Sequence, residues 1–337
     1  MLACISGFTP TLKRINLNGR SIENFGLFAM EISVVIPTRD RQKDLARCLH
    51  ALSQQTALPK EILVINNGRT LDPIFHQISD RVQVLESKGS LSYLFNLGWR
   101  KASAELVAYL NDDSEPAVDW IDGITDGFAR FPNAAAVGGP TEDAQMRALE
   151  RLYMRGSLPI RLAFSFYEKA FLQGNFLQVG RMGRWGAFSI GTWRPPKDFE
   201  QPFEVDHLTI TNVAFRKSIL KTLGGFDENF FYNHIDGDFF VRLKRSGQLQ
   251  IFHPQVRVRH HVAPSGPTRD PYFLSRDSAY FLAKDFRPST GGDIFGFTVQ
   301  LLLINGFFLY NAISYGSLRQ LRALFGFVRG LAEGFSG

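Results

Sequence analysis

Leu106-Val107-Ala108-Tyr109-Leu110-Asn111-Asp112-Asp113 is an apolar, strand-forming run that passes directly into three polar residues, and Ser114-Glu115-Pro116 follows. Carboxylates that come straight after a buried strand stand at the carboxyl edge of a sheet, where open α/β folds hold their ligands. Adjacent acids repel unless a cation lies between them, so a divalent metal is the natural third party. Asn, Asp and Ser also make ordinary solvated turns, and this stretch alone leaves both readings open.

The same pattern recurs upstream. Residues 32–36 form an apolar run closed by Pro37 and Thr38, and residues 41–55 carry Leu45, Cys48, Leu49 and Leu52 at helical spacing. Residues 61–65 read as a second strand that ends in Asn66, Asn67 and Gly68, and residues 82–85 as a third. Leu91, Leu94, Phe95, Gly98 and Ala102 then mark one helix face. Strands alternating with helices of this length imply parallel crossovers and an α/β, doubly wound sheet. Its polar loops at 37–41, 66–69 and 111–115 should converge on one rim.

No GxGxxG and no P-loop follows the first strand, which argues against a dinucleotide dehydrogenase. With 337 residues, 45% hydrophobic and 21% charged, the chain can bury one large core or two modest ones, and disorder is excluded as a description of the whole. The formal charge of +6 favours an anionic partner. Nucleic acid is not expected, because Lys and Arg are scattered instead of clustered with stacking aromatics. Cys4 and Cys48 are too few for a disulfide framework or a cysteine zinc site, which fits a reducing cytoplasmic compartment. Residues 1–10 lack the basic start and apolar core of a signal peptide. Met30 is either the true start or a boundary, so residues 1–30 read as an N-terminal appendage.

Between 141 and 203 the periodicity weakens, with Trp185 and Trp193 set among Arg181, Arg184 and Arg194. This is either a functional segment covering the site, helical near 148–153, or a variable insertion. Residues 211–223, with Val213, Ile219 and Leu220 and a stop at Gly224-Gly225, read as a helix. Asp236-Gly237-Asp238 precedes Phe239, Phe240 and Leu243, which continue as a helix to Gly247. Asp236 therefore stands at a helix N-terminus, where Asp serves as a cap as readily as an active acid. Residues 250–261 form a strand broken by Pro254, and its period of two aims His260 inward and His261 outward. An inward His is either a hydrogen-bonded core residue or the imidazole that completes an oxygen-rich metal site.

Taken in order, these residues resemble the family 2 nucleotide-sugar glycosyltransferases of the GT-A fold. The likeness rests on residues 34–39, 61–68, Asn111-Asp112-Asp113, Asn212 to Arg216, Gly224 to Asp227, Asp236-Gly237-Asp238 through Leu243, and Arg259-His260-His261, and it spans about 31–288. It implies a nucleotide-binding half over 31–140 and an acceptor and catalytic half over 141–288. Pro37, Thr38 and Arg41 would border the nucleobase, with Asn67 beside them. Asn66 stands where the family commonly carries a base-binding Asp. Asn111 would meet the ribose or donor sugar, and Asp112 would shape the turn or touch the nucleotide. Asp113 and His260 would hold a divalent metal, Mg2+ or Mn2+, and Asp236 would be the catalytic base. Asp238 would be structural, while Asn212, Arg184 and Trp185 would lie near donor sugar and acceptor. Ile235 precedes the base where many relatives carry Glu.

No charged residue occurs from 294 to 313, and Arg319, Arg322 and Arg329 follow among Leu and Phe. Residues 289–337 therefore read as a hydrophobic and basic helical tail, and 294–330 as a peripheral contact with the inner face of the cytoplasmic membrane. A pair of helices packed on the catalytic domain is the other reading. The expected activity is inverting, metal-dependent transfer of a sugar from a nucleoside diphosphate to a hydroxyl of a glycan or lipid-linked acceptor. The rival expectations are a sugar-nucleotide nucleotidyltransferase and a catalytically reduced scaffold subunit of a polysaccharide-assembly complex.

Overall fold

The structure, a computed structural model, describes residues 30–193, 199–261, 270–314 and 321–336. The expected appendage over 1–30 lies outside the described residues except for Met30. The chain runs β1 (Ile32–Thr38), α1 (Gln42–Ser53), β2 (Glu61–Asn66), α2 (Phe75–Ile78), β3 (Val82–Glu86), α3 (Leu91–Lys101) and β4 (Leu106–Leu110). It continues through β5 (Ser114–Pro116), α4 (Trp120–Arg130), β6 (Ala134–Gly138), β7 (Thr141–Asp143), α5 (Ala144–Arg155), α6 (Leu158–Tyr167), β8 (Phe203–Glu204), β9 (Asn212–Arg216) and α7 (Lys217–Thr222). Then come α8 (Ile235–Arg245), β10 (Leu249–Phe252), β11 (Val258–His260), α9 (Pro271–Asp285), α10 (Gly291–Ser314) and α11 (Arg322–Ser336).

Among the described residues, eight strands form one sheet in the order β3-β2-β1-β4-β9-β6-β10-β8. The first four are mutually parallel, as their alternation with helices requires. β9 then runs antiparallel between β4 and β6, and β8 antiparallel on β10, so the sheet is mixed. Every residue of β1, β2, β4 and β6 is buried, which explains why their sequences read as largely apolar runs without alternation. The many phenylalanines account for much of the core below it. Phe95, Tyr109, Phe215, Phe226 and Phe239 meet mainly edge to face or tilted, with centroids 4.9 to 6.3 Å apart.

One expected element is corrected. Residues 211–223 are a strand and then a short helix, not one helix. Val213, Ala214 and Phe215 lie between two neighbouring strands and are fully buried, so no alternation of polar and apolar residues marks them as a strand.

Three strands of three residues each form a second, small sheet in the order β5-β11-β7. Tail helix α11 packs along α9 by close backbone approach. A Cβ on Gly326 would lie 2.1 Å from the Tyr272 carbonyl oxygen, and one on Gly330 2.1 Å from that of Arg276. Arg276 also donates to Glu333 at 2.8 Å. Among the described residues no helix is long and apolar enough to cross a membrane.

Candidate active site

The three rim loops meet as their strand ends dictate. The Asn67 N–H donates to the Thr38 carbonyl at 2.9 Å, and the Arg69 N–H to Asp40 Oδ1 at 2.8 Å. Thr38 Oγ1 donates to Asp112 Oδ2 at 2.8 Å. Arg41 Nη1 lies 3.1 Å from Asp112 Oδ1 and 3.3 Å from Asp113 Oδ2, so a guanidinium already relieves part of the repulsion between these neighbouring acids. Burial pushes the Asp112 carboxyl up to about 6, against the pull of Arg41 and Thr38.

The small sheet builds the other side of the rim. Its register sets His260 between Ser114 and Asp143, and the His261 N–H donates to the Asp113 carbonyl at 2.9 Å. His260 Nε2 is 3.0 Å from Asp113 Oδ1, and its Nδ1 is 2.8 Å from Asp143 Oδ2. Burial alone would lower the His260 pKa; the two carboxylates outweigh it and raise the imidazole to about 9. The Trp193 ring lies 6.3 Å from that imidazole. His261 turns outward to Glu115 at 2.7 Å, as the period of two predicts. Nothing in the sequence singles out Asp143. A strand of three residues carries no periodicity, and the acid gains its place only through pairing with β11.

Asp236 occupies the first turn of α8, where its Oδ1 accepts from the Gly237 N–H at 3.0 Å and its Oδ2 from the Ile210 N–H at 3.2 Å. Ile210 leads into β9, whose Asn212 pairs with Leu110, so Asp236 is tied to the strand end that precedes Asn111. Removal from water raises its carboxyl above the ordinary range. Asp238 differs sharply: it is fully buried and ion-paired with Arg242 at 2.7 Å and with Lys284. Of these two acids, Asp236 is the one held by backbone amides instead of cations.

Several expected site residues make hydrogen bonds or packing contacts within the protein itself. Asn66 is fully buried; its Nδ2 donates to the Glu86 carboxylate at 2.9 and 3.0 Å and to the Arg69 carbonyl at 2.8 Å, and its Oδ1 accepts from the Gly68 N–H. An amide can donate to Glu86 where a carboxylate would repel it, so this side chain organises the turn. Asn67 Nδ2 is held by the Gly89 carbonyl at 3.0 Å. Asn212, also fully buried, donates to the carbonyls of Pro140 and Val256 at 3.0 and 2.8 Å and accepts from Trp120 Nε1 at 2.8 Å. Trp185 packs on α10, where a Cβ on Gly296 would come within 2.3 Å of its ring, and donates to Asp293 at 3.3 Å. Its positive φ of 49° turns the ring that way, and with Arg184 it lines a separate cleft with Arg245, Phe286 and Arg287. Asn111 is half-buried at the rim, between β4 and Asp112.

A mixed sheet with helices on both faces and an acid-bearing rim at its carboxyl edge is the architecture of the GT-A glycosyltransferases. The chain belongs to glycosyl transferase family 2, whose sequence profile matches residues 33–224. It is a glycosyltransferase. It is 28% identical over 262 residues to the N-acetylglucosaminyl-diphospho-decaprenol L-rhamnosyltransferase of Mycobacterium tuberculosis, covering 71% of this chain and 78% of that one. It is 27% identical over 252 residues to the O-antigen biosynthesis protein RfbC of Myxococcus xanthus, covering 70% of this chain but only 18% of the relative's length. The solved structure of residues 1–349 of S. aureus TarS superposes with a TM-score of 0.52 at 13% identity, over 90% of this chain and 81% of that one.

Proposed function

We infer that this glycosyltransferase moves a hexosyl or deoxyhexosyl unit, with inversion, from a nucleoside-diphosphate sugar to a hydroxyl of a lipid-linked glycan in polysaccharide assembly. The carrying observation is the rim itself: Asp113, His260 and Asp143 in line on one side, Asp236 tied to the adjacent strand end on the other. The relative named for a diphospho-decaprenol acceptor supports a lipid-linked substrate, and action at the inner face of the cytoplasmic membrane, with 294–330 in contact, accords with it.

The donor set suits a divalent ion. Asp113 presents an oxygen and His260, once it gives up its Nε2 proton, a nitrogen 3.0 Å away, and Asp143 fixes the far ring nitrogen, the second-sphere partner that metal-ligating histidines use. Among the described residues no group of three or more acidic, His or Cys side chains is gathered to hold an ion, so these two would share it with the donor's phosphates. Bound there, the ion would offset the diphosphate charge as it leaves. Asp236, its carboxyl made more basic by burial, takes the proton of the acceptor hydroxyl as that oxygen attacks the anomeric carbon from the opposite face. Arg41 holds the two rim acids at fixed spacing.

The test is transfer and donor hydrolysis with and without Mn2+ or Mg2+, in the wild type, Asp113→Ala and Asp236→Asn. Loss of transfer in Asp236→Asn by roughly a hundredfold or more, with donor binding retained, is expected. Equal metal-free activity in wild type and Asp113→Ala refutes the metal assignment. Donor binding with no turnover for any acceptor favours the scaffold reading.

A further inference from the structure

The segment immediately after the small sheet is a helical hairpin whose outer surface is both apolar and basic. Leu158, Leu162 and Phe166 follow at intervals of four along α6 and are 67%, 61% and 50% exposed; α6 buries none of its residues. Leu152 and Met154 on α5 are also exposed, at 45% and 59%. Arg151, Arg155, Arg161 and Lys169 are exposed beside them. The hairpin is nevertheless a built unit: Tyr153, Phe164 and Phe176 stack mutually within 5.4 Å, and Tyr153 donates to Glu168 at 2.7 Å. That bond turns Glu168 back toward the hairpin's own aromatic cluster, while the arginines remain at the surface.

An exposed apolar stripe of this length is unusual on a soluble surface and marks a contact with something else. The arginines flanking it select an anionic partner, and apolar side chains bordered by guanidinium groups suit the boundary between headgroups and acyl chains. We propose that the α5–α6 hairpin is a docking surface for an anionic lipid bilayer, with Leu158, Leu162 and Phe166 entering the interface and Arg151, Arg155 and Arg161 meeting the headgroups. This surface is separate from the tail contact inferred above, and it does not depend on the sugar transferred.

The experiment is cosedimentation of the full chain with sucrose-loaded vesicles, either pure phosphatidylcholine or with 30% phosphatidylglycerol, without donor or metal. Binding is expected only to the phosphatidylglycerol vesicles and should weaken with salt. The triple variant Leu158→Ser, Leu162→Ser, Phe166→Ser should bind at least tenfold more weakly, and Arg151→Gln, Arg155→Gln, Arg161→Gln should lose most of the salt-sensitive part. Both must keep the wild-type melting temperature and circular dichroism; a single Leu162→Ser variant serves if the triple one does not fold. The tail variant Phe325→Ser, Val328→Ser, run in parallel, separates the two surfaces. Wild-type affinity in the hairpin variants overturns the proposal. So does a wild-type dimer that these substitutions convert to monomer without any vesicle binding, which would make the hairpin an interface between copies.

Discussion

Replacing Gly330 with Ala tests whether the tail is a working part of the catalytic domain. A Cβ at this position would stand 2.1 Å from the Arg276 carbonyl oxygen and 3.0 Å from the Ala279 Cβ, whereas ordinary contact begins near 3.4 Å. The α11 and α9 axes must therefore separate by more than 1 Å along a seam that Gly326 and Gly334 also define. Overpacking of this kind costs about 1–3 kcal/mol, and the helix propensity of Ala returns up to about 1. The net loss is up to about 2 kcal/mol, or a fall of up to about 3 °C in melting temperature for a chain of 337 residues. Gly292 provides the control, since a Cβ there meets only Thr290 Oγ1 at 3.9 Å; Gly292→Ala should be neutral or stabilising. The assay is urea and thermal unfolding followed by tryptophan fluorescence. If Gly330→Ala stabilised the protein as much as Gly292→Ala, the close packing of α11 on α9 would be wrong.

Acid should destabilise the protein through His207, which is 5% exposed and whose pKa burial lowers to about 4. The unfolded chain binds the extra proton from about pH 6.5 downward, so up to about 3 kcal/mol of stability is lost as pH falls from 6.5 to 4; His207→Gln should flatten that slope in unfolding measured across the range. Asp143→Asn removes a carboxylate from His260 and should weaken Mn2+ binding about 10–100-fold by calorimetry, with the fold intact. Asn212→Ala leaves the Trp120 Nε1–H and the Val256 carbonyl without their partner, while the Pro140 carbonyl keeps the Val258 N–H. At about 1–3 kcal/mol per orphaned group it should lower stability by several kcal/mol, while the Asp113–His260 end of the site still binds donor. Unchanged unfolding midpoints would refute the pinning role of Asn212.

The parallel half of the sheet was legible because buried strands and amphipathic helices alternate there, and the convergence of loops 37–41, 66–69 and 111–115 followed from that topology. His260 was chosen over His261 by period alone, and the structure turns them as expected. What escaped was whatever depends on partners distant in sequence. β9 looked helical because both its neighbours cover it. β6, Ala134–Gly138, has an alanine-rich sequence with little strand preference of its own, and its place comes from β9 and β10. Asn66 and Asn212 stand in motifs that invite a ligand role, and their amides bond to Glu86, Trp120, Pro140 and Val256, partners the sequence does not point to. Polar type was readable from the sequence; satisfaction of the polar group was not.

Asp143 ends one strand and begins the next helix, and its two oxygens face different tasks. Oδ2 meets the His260 ring, while Oδ1 accepts from the Met146 N–H in the first turn of α5. The carboxylate is thus a hinge pin shared by the imidazole and the hairpin. The first turn of the hairpin and the histidine are therefore one side chain apart. A surface that engages α5 and α6 would thus sit one carboxylate away from the rim histidine.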